Sequence, residues 1–157
     1  MALSDEPAFN QIINKTIDII EGISDDTEYY RIDYTEVDSE EVNTFEIHTL
    51  PSIIVLPVGD SESRELSLNT MHDSSKMSVT CIYHGEDDPV KYGGRILHDI
   101  KKALLARDTL DNLATDLTFL GEAYEAIDNS DYIYTVIAYF KVDYRYSKLD
   151  PTMILGC

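Results

Sequence analysis

The alternation of apolar and polar positions is strongest near the end of the chain, where Tyr132 to Tyr146 runs YIYTVIAYFKVDYRY. β-Branched and aromatic side chains over that length, without Gly or Pro, predict one long strand. At roughly 3.3 Å per residue it would span about 50 Å, where globular strands usually run about five or six residues, so part of it is expected to meet another subunit. Even positions carry Tyr132, Tyr134, Val136, Ala138, Phe140, Val142, Tyr144 and Tyr146. Odd positions begin with Ile133, Thr135, Ile137 and Tyr139 and turn charged at Lys141, Asp143 and Arg145. Such a strand starts buried on both faces and ends with one face in water.

Upstream, Pro7, Phe9, Ile12, Ile13, Thr16, Ile17 and Ile20 have helical spacing, with Asp5 and Glu6 at the positive end of the dipole and Gly22 as a stop. Tyr30, Ile32 and Tyr34 alternate with polar neighbours as a strand with one wet face. Residues 36–46 are rich in acids and hold no base, which suits a solvated loop or an edge strand protected by repulsion. SIIVLPV, Ser52 to Val58, is a short apolar strand in which Pro57 argues for an edge or an early stop. The polar stretch 60–75 is expected as a long loop or an arm that orders on assembly.

Lys76 to His84 alternates cleanly and predicts a strand. Asp88 then caps a helix with Pro89 at its first position, and Tyr92, Ile96, Ile100, Ala103 and Leu104 form its apolar stripe. Leu117 to Ile127 is a strand broken by Gly121 at a bulge, forming an antiparallel hairpin with the long final strand. Residues 147–157 end in apolar Met153, Ile154 and Leu155, expected as a flexible or partner-docking tail. The pattern predicts a single α+β domain over 1–157. Its mainly antiparallel sheet of about four to five strands carries two main helices, in the order α-β-β-β-α-β-β.

The formal charge of −18, from 30 acidic and 12 basic residues, argues against stable binding to nucleic acid or an anionic membrane. Five of those bases, Lys91, Arg95, Lys101, Lys102 and Arg107, crowd the second helix, which makes it the basic surface available to the acidic loops. Cys81 and Cys157 make neither a disulfide framework nor a metal quartet and are expected as free thiols in a reducing cytosol. No basic-then-apolar leader and no apolar window of membrane-spanning length is present in this sequence, so neither a secretory signal nor a span is expected.

Catalytic candidates are sparse. His84 with Glu86, Asp87 and Asp88 imitates a metal cluster, and His84-Gly85-Glu86 copies the H-x-E of zinc deaminases, but the P-C-x-x-C partner is missing. The plainer reading is a polar turn whose Asp88 caps a helix. His72 beside Asp73 has no serine elbow or nucleophilic cysteine near it in sequence. Gly93-Gly94-Arg95 falls within a helix and fits close packing better than a phosphate cradle. Asp25-Asp26 and Glu40-Glu41 are read as solvated acids rather than acid-base pairs. No enzyme, cofactor or metal is expected.

In its order of elements, and in Lys76 to Asp150 with KKALLARDTL, LTFLGEAYEAI and IAYFKVDYRY, the chain resembles the tail terminator (tail completion) proteins of long-tailed bacteriophages. The resemblance implies a ring, usually of six copies, on the head-proximal end of the tail tube. There it would halt tube polymerisation and meet the head connector, and DNA would pass through the hole without specific binding. Implied partners are therefore further copies of the chain, the tail-tube protein and the head-tail connector protein, with no membrane. The location would be the virion, after assembly in the host bacterial cytoplasm. An acidic lumen repels phosphate and lets DNA slide.

Candidate self-association or lumen residues are Glu36, Asp38, Glu40, Glu41, Asp60, Glu62, Lys91, Arg95, Lys101, Lys102, Tyr132, Tyr134, Tyr144 and Tyr146. His48 and the acidic loops are expected to make assembly respond to pH or divalent cations. Competing functions are a head-closure or neck protein, an acidic DNA-mimic inhibitor of a host DNA-binding enzyme, and a small hydrolase built on His84.

Overall fold

The computed structural model describes residues 6–25, 29–30, 36–38, 51–85, 88–107, 109–128 and 132–155. Two helices and a mainly antiparallel five-stranded sheet make an α+β fold. The elements are α1 (Ala8–Glu21), β1 (Glu36–Asp38), β2 (Ser52–Ser67), β3 (Thr70–His84), α2 (Pro89–Leu105), β4 (Asp116–Asp128) and β5 (Ile133–Ser147), with a short 3-10 turn at Gly22–Asp25. The order α-β-β-β-α-β-β is as the sequence predicts. Across the sheet the strands run β1-β2-β3-β5-β4, with β1 parallel to β2 and every other pair antiparallel.

Both helices pack on one face of the sheet. The apolar stripe of α1 (Ile12, Ile13, Ile19, Ile20) and that of α2 (Ile96, Leu97, Ile100, Leu104) meet Ile53 and Val55 of β2 and Met77, Val79 and Cys81 of β3. Val136, Ala138, Phe140 and Val142 of β5 complete the core. Asp88 caps α2 by accepting from the Lys91 amide at 3.1 Å. Gly93 allows α2 to approach the sheet, since a Cβ there would lie 2.5 Å from the Tyr83 hydroxyl and 2.8 Å from Val136. Gly93 is thus a packing device, as read from its position in a helix, while a Cβ on Gly94 would meet only the Tyr124 hydroxyl at 3.9 Å.

On the other face a smaller apolar cluster gathers Ile54, Ile82 and Ile133 with Leu56. This accounts for the predicted change along β5. Near its start both faces are buried, and towards its end Lys141, Asp143 and Arg145 leave one face polar.

A β-bulge on β4 changes which residues face the helices. Phe119 pairs with Phe140 and Gly121 with Tyr139, so Leu120 is the extra residue, and Gly121 takes a φ of 150°. Before the bulge odd positions, Leu117 and Phe119, face the core; after it even positions, Glu122 and Tyr124, lie on the α2 side. Between α2 and β4 the chain turns through Leu110, Asp111 and Asn112, all with positive φ. Fully buried Leu110 anchors this left-handed turn, and Asp111 is held by Lys15 at 2.7 Å and Arg107 at 3.7 Å. That pairing, through the Lys15 hydrogen bond first, holds the Asp111 carboxyl below its usual range.

Three expectations are corrected. Residues 60–75 are not an irregular loop: β2 continues to Ser67, turns at Leu68 and Asn69, and returns as β3, making a long hairpin. β5 is not a docking edge, because all fifteen of its residues pair with β3 and Ile133 to Asp143 also pair with β4. Its length is met inside the chain by an equally long β3.

The tail is also not a free end in 147–155. Ile154 bridges Tyr146, the Ala8 amide donates to the Pro151 carbonyl, and Gln11 donates to the Thr152 carbonyl at 2.6 Å. These contacts fasten it across the start of α1. The strand predicted around Tyr30 to Tyr34 is not seen at Tyr30, which is in irregular structure, and 31–35 lie outside the described residues. The acidic segment does supply an edge strand, β1.

Candidate assembly surfaces

Among the described residues, β4 pairs only with β5, and β2 beyond Ile54 pairs only with β3. Within the described residues the sheet therefore ends on two unpaired edges, each a row of backbone donors and acceptors able to receive another chain. Pro57 sits on the open side of β2 past its last β1 contact, where a missing N–H is tolerated.

The outer half of the β2–β3 hairpin, residues 59–75, we call the arm. Every residue of β2 from Gly59 to Ser67 is exposed. Leu68, at the turn, is 82% exposed and Leu66 is 40% exposed, while Asp60, Glu62 and Glu65 line the same strand. Leucines at the tip of a polar hairpin have no part in the core that shapes the rest of the sheet.

Two carboxylates stiffen the root of the arm. On the helix face Asp73 accepts from the hydroxyls of Tyr144 (3.3 Å) and Tyr146 (3.1 Å), and Phe9 stacks on Tyr144. On the opposite face Asp143 accepts from the Ser74 hydroxyl and lies 3.4 Å from His72 Nε2, beside a cleft of about 300 Å³ that Glu62 and Arg64 also line. Serine, histidine and aspartate do meet here. Yet the carboxylate takes both partners, whereas nucleophilic catalysis needs the serine on the imidazole. The wiring is that of a tie between β3 and β5. His72 thus pairs across the sheet with Asp143 rather than with its sequence neighbour Asp73.

The second surface is a groove of about 560 Å³ between α2 and β4. Gly94 and Leu97 floor it, Leu105 and Tyr124 wall it at 40% and 48% exposed, and Lys101 and Lys102 stand at its rim. Lys101 holds Glu122 at 3.2 Å and lies 5.1 Å from the centre of the Phe119 ring. The bases of α2 are thus partly engaged within the chain. Arg95 covers the Tyr30 ring at 5.3 Å, Lys102 covers the Tyr29 ring at 4.9 Å, and buried Asp99 accepts from the Tyr30 amide at 3.1 Å. Cation–π contacts leave the positive charge in place, so this face of α2 stays cationic.

The candidate residues separate accordingly. Asp60 and Glu62 lie together on the arm; Arg95, Lys101 and Lys102 lie together along α2, with exposed Lys91 near its start. Tyr132 is exposed at the β4–β5 turn, where it meets His84 edge-on, and Tyr134 is half-buried against Tyr83. Tyr144, 4% exposed, is a core residue and not an interface anchor, a correction that follows from the helix α1 packed over it. Tyr146 is half-buried at the arm's root. Glu36 and Asp38 belong to β1, while Glu40, Glu41, His48, Glu86 and Asp87 lie outside the described residues.

Among the described residues no three His, Cys, Asp or Glu side chains gather so as to hold a metal ion, and no helix is long and apolar enough to cross a membrane. Burial pushes the Cys81 thiol far above its ordinary pKa, which keeps it from acting as a thiolate. Sequence reasoning missed Leu68, Leu105 and Tyr124. A leucine inside the polar run 59–69 was the one available signal for the first; the others need the bulge and the helix placement to be known. Compared with known proteins, the chain matches no protein-family model and no curated protein sequence.

Proposed function

We propose that the protein is a structural, non-enzymatic phage virion subunit that self-associates into a ring on the head-proximal end of the tail tube. In that position it stops tube polymerisation, offers a surface to the head connector and leaves a channel for DNA. One observation carries the reading: a sheet that, among the described residues, ends on two unpaired edges and carries a hairpin whose Leu66 and Leu68 are exposed. Surfaces of that kind are costly in an isolated domain and are resolved by pairing with other chains. The resemblance noted in Lys76 to Asp150 supplies the phage setting, and the formal charge of −18 suits a channel wall that DNA must pass without sticking.

Sedimentation of the purified chain and electron microscopy of the chain mixed with tail tubes test the proposal. Annuli, alone or capping tubes at one end, are expected. A chain that stays monomeric at every concentration and never attaches to tubes overturns it.

A further inference from the structure

We infer that copies meet by seating the arm of one chain in the α2–β4 groove of the next. This deepens the ring reading and rests on it, because it names the two surfaces through which neighbours join. The surfaces are complementary in both polarity and charge. The arm offers Leu66 and Leu68 with Asp60 and Glu62, Glu65 being held by Lys148 at 3.0 Å; the groove offers an apolar floor and walls under a rim of Lys102 and of Lys101, which holds Glu122 at 3.2 Å. In a chain with 30 acids and 12 bases, a partner surface for an acidic arm has few places to lie, and α2 holds four of those bases, with Arg107 just past its end. The open edge of β4 runs beside the groove and can take up the unpaired backbone of β2.

A chain cannot fill its own groove. Thr70, next to the arm's turn, pairs with Ser147, whereas Tyr124 pairs with Val136, eleven residues back along the same strand. At about 3.3 Å per residue, arm tip and groove stand roughly 35 Å apart along the strands, with β3 and β5 between their edges. The clamps at Asp73 and Asp143 hold the arm in line with the sheet, so it does not fold back. The contact is therefore between copies and joins two different surfaces, the heterologous arrangement that closes into a ring when the rotation between copies allows.

Three measurements on the full chain test this. Leu68→Glu is expected to weaken self-association about tenfold or more in sedimentation, with an unchanged melting curve, because the side chain touches no core. Glu62→Lys and Lys102→Glu should each weaken association, and the two together should restore it. In a Cys157→Ser background, Leu68→Cys chains mixed with Tyr124→Cys chains should be joined by a short bismaleimide linker.

Rings that persist unchanged in Leu68→Glu and in both charge reversals, without cross-links, overturn the arm-in-groove contact while leaving the ring reading standing. A wild-type chain that never self-associates removes both. If the groove variants self-associate normally but lose attachment to tail tubes, the groove belongs to the tube protein and the inference fails.

Discussion

The two halves of the β2–β3 hairpin share one backbone ladder and differ in what surrounds it. At the base, Ser52 to Val55 and Met77 to Val79 are buried on both faces. In the arm the β2 strand is exposed throughout, and order depends on β5 and on two carboxylate clamps. One half is held by excluded water, the other by hydrogen bonds that water can contest. Stability is thus concentrated in one stretch of these strands and, on the ring reading proposed above, assembly falls to the other, so changes in one should leave the other largely alone.

The largest effect is expected at the base. Phe140→Ala, beneath both helices and opposite Met77, should cost about 3–5 kcal/mol in urea unfolding, since the cavity cannot be filled from the surface. Gly93→Ala should cost about 1–3 kcal/mol, because the added methyl drives into Tyr83 and strains the hydrogen bond from its hydroxyl to the Pro89 carbonyl.

High pH separates base from arm root by their tyrosines. Burial pushes both Tyr83 and Tyr144 up to about 12 from 10.0, with the Asp73 charge adding to the rise at Tyr144. The unfolded chain releases these protons near pH 10 and the native chain only near pH 12. Stability should therefore be intact below pH 10 and fall as pH rises through that window, by on the order of 1–2 kcal/mol per tyrosine. Absorbance titration of Tyr144→Phe should remove one late-ionising phenol.

Smaller still, Asp73→Ala should cost about 1 kcal/mol globally while speeding amide exchange in the arm far more than at the base. Uniform acceleration would show that the two halves open together. Leu68→Ser should change unfolding by less than about 0.5 kcal/mol, the ordinary range for an exposed position.

The same contrast explains what could be read from residues alone. The base strands, α2 with its Asp88 cap and the Gly121 bulge carry local signals, namely alternation, a capping side chain and a glycine in a β run. The arm carries none: its β2 strand is in water on both faces and its half-buried β3 strand is tied by polar groups, so nothing selects an apolar period and 60–75 resembles a loop. Its strand character follows instead from β5, whose fifteen residues require a partner as long. That long strand was expected to extend to another subunit, because a strand's own pattern does not reveal which neighbours flank it. The bases of α2 were visible in sequence. The groove was not, since Leu105 and Tyr124 are brought to it by packing and by the bulge.

Beyond that bulge β4 is sensitive to length more than to composition. Removing Leu120 would only make the ladder continuous, since Glu122 and Tyr124 already oppose the inward Ala138 and Val136. Removing Ala123, an in-register residue beyond the bulge, would instead exchange every later inward side chain for its outward neighbour. Glu125 would then move to the α2 side, and Tyr124 would be carried to the far side. A single deleted codon would thus erase the cleft wall while every other residue kept its identity.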